Sequence, residues 1–419
     1  MAIDFQQVYQ TIKEIGAGAK ERQAKLAERR EQARALLQLH VDNLDGLRYT
    51  VEKAKEADPA LRCALPLTER LDFHAPAPEL PEKVTLIAAD GSQILPDRHS
   101  ALQYALINVG AIILQLNSGR APVIRTDSRL LFDEKLYTSS GAPMSEGMLA
   151  LQRDTAERTR LLDLAIEFSQ PDLPIVTFTD GPLELWSVRD GQEAALFDQS
   201  LKKYLSVLSR LHERGIITAG YIDKPSSDPL VRLLEVATAT DEDLQKLREY
   251  HPLRGVTDRW LFSEGGNTTS ALHVPGEKKG SALLKPGQRS AVFGFQSKSE
   301  KDYKSSLALH FFYINISAQP RSPKIARVDI PKWMADDPEK LGLLHAVIIQ
   351  QCQVMGAKPY PYLLHRAHES AVVSFEEKRQ VDQMLALELK RNGIEIDDPS
   401  DKQSAKDLPG RTSYTERFA

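Results

Sequence analysis

Two aspartates follow short apolar runs in this 419-residue sequence. Asp90 comes directly after Val84–Ala89, and Asp180 comes directly after Ile175–Thr179. A glycine follows each aspartate, and glycine lets a backbone or a ligand approach closely. Two carboxylates held close together repel each other unless a cation lies between them, and magnesium or manganese prefers such oxygen ligands. The pair therefore predicts a divalent-metal site.

Phosphodiester hydrolysis is the chemistry that such a site supports. Two ions held about 3.5–4 Å apart polarise the phosphodiester, lower the pKa of the attacking water and stabilise the leaving oxygen. The alternative is structural, because Asp-Gly after a strand is also a common turn signal. Two such aspartates at the ends of neighbouring strands favour the functional interpretation.

A third carboxylate could come from the helix predicted between the two aspartates. Glu157 lies near the middle of this helix, and its structural alternative is a solvated ion pair with Arg153 or Arg160 at helical spacing. The acidic candidates on the helix are Glu146, Asp154, Glu157, Asp163 and Glu167.

Two histidines, His365 and His368, lie in a late segment of the chain, Pro359–Ser370. A histidine there could bind metal or transfer a proton near neutral pH. A purely structural role for these histidines stays open, because two histidines three residues apart are only a weak signal of a metal or catalytic site.

Basic side chains offer candidate contacts to a DNA backbone. Lys224 follows a predicted strand and could hold a scissile phosphate or pair with Asp223. A segment rich in Gly, Ser and Lys, residues 263–304, is predicted to be a long mobile loop or a hairpin. It either grips DNA or is simply solvated. Its basic residues are Lys278, Lys279, Lys285, Arg289, Lys298, Lys301 and Lys304.

The elements around these residues are predicted from their apolar patterns. Strands at 83–89, 101–116 and 123–132 precede a helix at 145–168, and strands at 174–179 and 216–222 flank a helix at 191–214. The order β-β-β-α-β-α-β favours an antiparallel meander followed by crossover strands. It predicts an α/β fold of the ribonuclease-H-like (PIWI-like) type, a mixed sheet flanked by helices.

The rest of the chain divides into three regions. Residues 1–80 are predicted to form a helical arm that ends in a proline-rich linker, Ala75–Pro81. Residues 81–392 are predicted to form the nuclease domain, and residues 393–419 a polar C-terminal tail. The second half contains further predicted strands at 290–295, 307–316 and 324–330, with helices at 338–355 and 375–391.

Composition restricts the partners and the compartment. The 54 basic and 58 acidic residues leave a formal net charge of -4, so DNA contact must rely on local basic patches or metal. Cys63 and Cys352 exclude a disulfide framework and a cysteine-rich zinc site. The start of the chain lacks a signal-peptide pattern, and the longest apolar stretch, Ala105–Leu116, is shorter than the ~20 residues that span a membrane. A cytoplasmic protein is expected.

Taken together, the motifs resemble the NurA family of nucleases over roughly residues 83–390. No single motif is specific to this family, but the order and spacing of the motifs along the chain are. The motifs are Ala89-Asp90-Gly91-Ser92, Glu157, Thr179-Asp180-Gly181-Pro182-Leu183, Gly220-Tyr221-Ile222-Asp223-Lys224-Pro225, Asp258-Arg259-Trp260-Leu261-Phe262, Pro286-Gly287-Gln288-Arg289-Ser290 and Ala367-His368.

The resemblance implies a function and a set of site residues. It implies a manganese-dependent nuclease for single- and double-stranded DNA, with Mg²⁺ as the alternative metal and a two-ion site. It also implies a homodimer that acts with a HerA-type hexameric ATPase in DNA end processing or phage defence. Asp90, Glu157 and Asp180 become metal ligands, and His368 a fourth catalytic residue, as ligand or proton donor, with His365 in reserve. Lys224, Lys285 and Arg289 become candidate phosphate contacts.

Two other functions compete with a nuclease. A haloacid-dehalogenase-type phosphatase needs a second aspartate two residues after the first, and Ser92 occupies that position. A non-catalytic adaptor that caps a translocase ring would use the same fold without turnover. Digestion of linear DNA with and without manganese distinguishes the adaptor from the nuclease.

Overall fold

The computed structural model describes residues 4–97, 102–138, 141–186, 193–264, 282–320 and 322–394. The chain divides into two structural units. The first comprises residues up to 84, 176–184 and 211–362, and the second comprises residues 85–175, 185–210 and those from 363 onward.

An antiparallel three-stranded ladder forms the centre of the second unit. Its strands are β3 (Thr85–Ile94), β4 (Tyr104–Gln115) and β5 (Val123–Phe132), with β4 between the other two. Residues 104–113 of β4 are all buried, as expected for a central strand. The helices assigned mainly to this unit are α4 (Glu146–Glu167), α5 (Ala194–Glu213), α11 (Tyr362–Ala371) and α12 (Phe375–Arg391).

The first unit contains the remaining strands. Among the described residues their order is β1-β9-β10-β11-β7-β6. The β6–β7 pair is parallel, and the other pairs in this order are antiparallel. β2 pairs with β8, which pairs with β10. The strands are β1 (Cys63–Pro66), β2 (His74–Pro76), β6 (Ile175–Asp180), β7 (Ile217–Ile222), β8 (Gln288–Ser290), β9 (Phe293–Gln296), β10 (Leu309–Asn315) and β11 (Ile325–Pro331).

Eight α-helices of the described chain lie in this first unit, and a ninth has its first residue there. The arm at the N-terminus supplies α1 (Phe5–Ala17), α2 (Ala19–Leu39) and α3 (Leu44–Ala57). The later ones are α6 (Pro229–Ala237), α7 (Asp241–Gln245), α8 (Asp258–Glu264), α9 (Lys332–Ala335), α10 (Pro338–Val354) and the first residue of α11.

The predicted element order is confirmed. β3, β4, β5, α4, β6, α5 and β7 follow one another along the chain, with bounds within three residues of those predicted except where β3 extends further. The meander is antiparallel and the later pair is parallel. The structure is therefore the mixed α/β, ribonuclease-H-like fold that the sequence predicts.

The N-terminal region is only partly helical, which corrects the prediction of helix to about residue 75. α3 ends at Ala57, and β1 and β2 follow it. Their partners β9 and β8 lie more than two hundred residues later in the chain. Pairing with such distant strands overrides the local helical pattern, so a linker does not begin at Ala75 as predicted.

Parts of two predicted segments lie outside the described residues. These are residues 265–281 of the basic loop, including Lys278 and Lys279, and residues 395–419 of the polar tail. The described remainder of the basic loop contains β8 and β9. Among the described helices, none has the length and apolar character needed to cross a membrane.

Candidate active site around Asp90 and His368

Asp90 lies within a strand, not at its end. β3 continues through Gly91 and Ser92 to Ile94, and Asp90 is the register partner of Gly110 on β4. The buried run stops at Ala89, but the hydrogen-bonded ladder does not. The sequence prediction of a strand end at Asp90 is therefore wrong, because loss of apolar character marks a change in burial and not the end of backbone pairing.

The structure brings Asp90 and His368 into direct contact. His368 Nδ1 lies 2.7 Å from Asp90 Oδ2, a short distance of the kind expected for a charge-assisted hydrogen bond. The other carboxylate oxygen, Oδ1, accepts the Gly91 backbone N–H at 2.8 Å. The Asp90 side chain is 18% exposed and that of His368 is 64% exposed, so the pair lies at the protein surface with an accessible imidazole.

Gly110 allows helix α11 to reach this position. A Cβ atom at Gly110 would lie 2.5 Å from both Ala371 N and Ser370 C, which are backbone atoms of the helix end. Only glycine fits such a close approach. Gly110 lies inside the apolar run that predicts β4, and a glycine inside a strand is the one local signal of such close packing.

Glu157 is buried against the same part of β3. Its side chain is 7% exposed, and its Oε1 lies 3.4 Å from Arg153 Nε. Burial, together with the negative charges of Asp154 and Asp90, raises the pKa of Glu157 to about 8. The pair with Arg153 exists, but it is not the solvated pair of the structural alternative. A carboxyl group in this environment favours either a proton or a nearby cation.

Gly91 separates the two acidic side chains. A Cβ atom at Gly91 would lie 2.6 Å from both Glu157 Oε1 and Arg153 Cγ on α4. Side chains alternate across a strand, so Asp90 faces α11 and the Gly91 position faces α4. Side chains of α4 make the close approach at Gly91, where a backbone or a ligand was predicted, and Glu157 reaches β3 from the face opposite to His368.

A solvent-open cleft lies beside His368 in the second unit. Its volume is about 580 Å³. It is lined by Ile124, Arg366, His368, Glu369, Ser370 and Val372. The reserve histidine, His365, is half-exposed and lies 3.4 Å from Glu369. The structure thus brings His368 to the predicted aspartate and pairs His365 with a glutamate.

Asp180 lies in the first unit, as the last residue of β6, with its side chain exposed. Gly181 follows in a left-handed conformation, φ 92°, and its N–H donates to Tyr221 O at 2.7 Å. Gly220 permits this turn, since a Cβ atom there would lie 2.5 Å from Gly181 O. The Asp-Gly pair at 180–181 therefore is a true strand-end turn, unlike that at 90–91.

Two of the predicted phosphate contacts are exposed. Lys224 is exposed and follows β7, with a positive φ of 46°. Lys285 is also exposed, and its backbone N–H donates to Gln288 Oε1 at 2.8 Å. Arg289, in contrast, is largely buried. Its guanidinium bonds Glu69 at 3.0 Å and stacks over Phe73. These contacts give Arg289 a structural role that competes with phosphate binding.

In the described chain, no set of side chains is already arranged to coordinate a metal ion. Across residues 4–394 with their gaps, no group of three or more His, Cys, Asp or Glu side chains could hold a metal ion as placed. The donor types at Asp90, Glu157 and His368 nevertheless suit manganese, because it accepts carboxylate oxygen and imidazole nitrogen. The buried carboxyl of Glu157 is the feature that a bound cation would stabilise.

Comparisons with solved structures return NurA nucleases. The chain is similar to the NurA nuclease from Sulfolobus solfataricus, with 12% identity, a TM-score of 0.46, and coverage of 92% of this chain and 98% of that one. A NurA structure bound to dAMP and manganese is similar with 13% identity, a TM-score of 0.35, and coverage of 86% and 96%. Among curated proteins, none matches the sequence.

The family assignment rests on the sequence-family model. The NurA domain model matches residues 84–373, which is more than half of the chain and includes Asp90, Glu157, Asp180 and His368. The chain therefore belongs to the NurA family, the nuclease family that its motifs resemble.

Proposed function

We propose that this protein is a metal-dependent deoxyribonuclease that hydrolyses phosphodiesters at the Asp90–His368 site. The observation that carries the proposal is the 2.7 Å contact between His368 Nδ1 and Asp90 Oδ2. A carboxylate and an imidazole joined in this way combine a cation ligand with a group that moves protons near neutral pH. The adjacent cleft gives a substrate access to His368.

Asp90 is the proposed ligand for Mn²⁺ beside His368, with Mg²⁺ as the alternative metal. Glu157, which reaches β3 from the opposite face at the side-chain-free Gly91, is proposed as a second ligand on the family resemblance. Asp180 is kept as a further ligand on the family resemblance alone, and a two-ion site rests on the same resemblance. When bound, such ions polarise the phosphodiester and stabilise charge on the leaving oxygen. Their positive charge would also offset the burial and the neighbouring negative charges that together raise the pKa of Glu157.

His368 is proposed to act as a proton donor or as a ligand. Asp90 engages Nδ1, which fixes the orientation of the imidazole and leaves Nε2 as the second ring nitrogen for chemistry. The Asp90 carboxylate thereby orients the His368 imidazole, as supporting carboxylates orient other catalytic histidines. Lys224 and Lys285 are proposed to hold DNA phosphates, since both side chains are exposed.

We infer the wider setting from the family resemblance. The protein is proposed to be a cytoplasmic homodimer that acts on single- and double-stranded DNA with a HerA-type hexameric ATPase, in end processing or phage defence. The competing proposal is a non-catalytic adaptor on the same ring. Retention of Asp90, Glu157, Asp180 and His368 supports the enzyme.

The test is digestion of linear DNA by purified protein, with and without manganese. Wild type should degrade the DNA only with the metal. Asp90→Asn should reduce the rate by more than about 100-fold, a larger loss than for a residue that only supports a ligand. Asp180→Ala tests the retained ligand in the same assay.

Folding of the variants is checked by circular dichroism and thermal melting. A folded Asp90→Asn protein with wild-type activity would remove Asp90 from the site. Wild type that binds DNA but never cleaves it, with either metal, would establish the adaptor instead.

A further inference from the structure

The last carbonyl of helix α11 is held by two side chains from the β3–β4 ladder. Ala371 O accepts Ser92 Oγ–H at 2.5 Å and Asn108 Nδ2–H at 2.8 Å. Ala371 is fully buried and Asn108 is 7% exposed. Such bonds are stronger away from water than at the surface, and two donors use both lone pairs of the carbonyl.

A third residue orients the amide of Asn108. Ser128 Oγ donates to Asn108 Oδ1 at 2.6 Å, which assigns the other amide atom as the donor toward Ala371. Ser92 is the register partner of Asn108 on β3, and Ser128 is its partner on β5. Ser92, Asn108 and Ser128 therefore form one polar row across three strands, named here the carbonyl clamp.

The clamp lies next to the Asp90–His368 contact. Asp90 precedes Ser92 by two residues and thus shares its face of β3. His368 precedes Ala371 by three residues, about one helical turn, so the two share a face of α11. The last turn of α11 therefore contacts β3 at two points. His368 bonds Asp90, and Ala371 O accepts a hydrogen bond from Ser92.

We propose that the carbonyl clamp is a positioning device for His368. By holding the last turn of α11 against the strands, it sets the imidazole at bonding distance from Asp90 and selects the Nδ1–H tautomer. This inference rests on the proposed function for its catalytic consequence. Its structural part concerns the metal-free protein and stands independently. Asn108 is the central member, because it bonds both Ser128 and Ala371 and is the register partner of Ser92.

Asn108→Asp is the main test variant. It keeps the size of the side chain but replaces the donor to Ala371 O with an oxygen that can only repel that carbonyl when ionised. Ser92→Ala and Ser128→Ala are milder variants that keep the test possible if Asn108→Asp fails to fold. Each removes one hydrogen bond and leaves the apolar packing in place.

Asn315→Asp is the matched control. Asn315 is also buried, its amide donates to Leu284 O at 2.8 Å, and its Oδ1 accepts Ser317 Oγ–H at 2.7 Å. The chemical change is the same, but Asn315 belongs to β10 of the first unit and contacts no part of α11 in these bonds. Any general cost of a buried aspartate appears in both variants.

The decisive readout is the tautomer of His368 in the full-length, metal-free protein. Nitrogen-15 NMR of histidine-labelled protein reports it, with the His368 signal identified by its loss in His368→Gln. Wild type and Asn315→Asp should show the Nδ1–H form, and the clamp variants should show a mixture with Nε2–H. Clamp variants that melt earlier but keep the Nδ1–H form would overturn the proposal, since the clamp would then only stabilise the fold.

Cleavage kinetics provide the second readout. Asn108→Asp should lower kcat by about 10- to 100-fold, as for other residues that orient a catalytic group, with DNA affinity unchanged. In a His368→Gln background, Asn108→Asp should cause no further loss, because both changes act through one group. A further tenfold loss there would contradict the proposal. If wild type does not cleave DNA, the proposed function fails while the tautomer measurement still decides the clamp.

Discussion

Glu157 keeps a carboxyl group where its ionised form is costly. Its side chain is nearly inaccessible, and burial with the neighbouring acidic charges raises its pKa to about 8. Arg153 offsets part of this cost at 3.4 Å. A buried carboxyl whose ionised form is only partly compensated is typical of a functional position, because a purely structural site would favour an apolar residue.

Glu157→Gln should therefore abolish the thermal stabilisation of the protein by Mn²⁺. In wild type, a metal that binds only the folded state should add about 2.7 kcal/mol at 100 times its Kd. The variant should match or exceed wild type in EDTA, because glutamine carries no buried charge. Melting temperatures with Mn²⁺ and with EDTA measure both effects.

Glu235→Gln is the control for Glu157→Gln. Glu235 is also buried, and it pairs with Arg232 at 2.6 Å in the first unit. This variant should melt earlier but keep the full manganese shift. An equal manganese shift in wild type and Glu157→Gln would exclude Glu157 as a ligand.

At the scale of elements, the contact between α11 and β4 decides whether His368 reaches Asp90. Gly110 is the point of closest approach, and its neighbours there include backbone atoms that cannot rotate away. Gly91 faces flexible side chains of α4 instead, which can shift. The two glycines thus face different helices, and an added side chain should be tolerated less at Gly110 than at Gly91.

Gly110→Ala should lower the free energy of unfolding by about 1–3 kcal/mol, as overpacking does elsewhere. It should also speed amide hydrogen exchange in α11, because the helix can no longer lie against the strand. Denaturant titration and exchange monitored by mass spectrometry measure these effects.

Gly294→Ala in β9 is the comparison for Gly110→Ala. The nearest atoms to a Cβ at Gly294 are those of Leu65, at 3.5 Å or more, which is ordinary contact. That variant should leave α11 exchange unchanged. Exchange in α11 that is the same in Gly110→Ala as in wild type would show that the helix does not depend on this glycine.

At the scale of the whole molecule, the free energy of unfolding should depend on pH through a histidine of the first unit that is not part of the proposed active site. His345 on α10 is 1% exposed, and its Nε2–H donates to Gly287 O at 2.9 Å. Burial, with a smaller effect of Arg289, lowers its pKa from 6.5 to about 4. The unfolded chain therefore takes up a proton below pH 6.5 that the folded protein refuses until about pH 4.

The free energy of unfolding should consequently fall as the pH is lowered from 6.5 to 4, by up to roughly 3 kcal/mol from this group. His345→Gln, which keeps a donor for Gly287 O, should flatten that part of the profile. Denaturant titrations at pH 7, 5.5 and 4.5 measure it. His74→Gln, at an exposed position, should retain the wild-type slope, and an unchanged slope in His345→Gln would refute the assignment.

The sequence alone determined the order of the elements and the identity of the acidic candidates. Alternation and helical periodicity are local properties, so β4, β5, α4 and α12 begin and end close to their predicted bounds. The family motifs selected His368 over His365, and the geometry pairs His368 with Asp90.

Only the tertiary structure decided which residues meet. β1 and β2 depend on strands formed much later in the chain, and the β3 ladder continues past Asp90 because β4 pairs with it. Gly110 and Asn108 acquire their roles only when α11, more than 250 residues later, lies against them. Local patterns report how a segment buries its own side chains, whereas contacts between distant segments depend on packing that no single segment encodes.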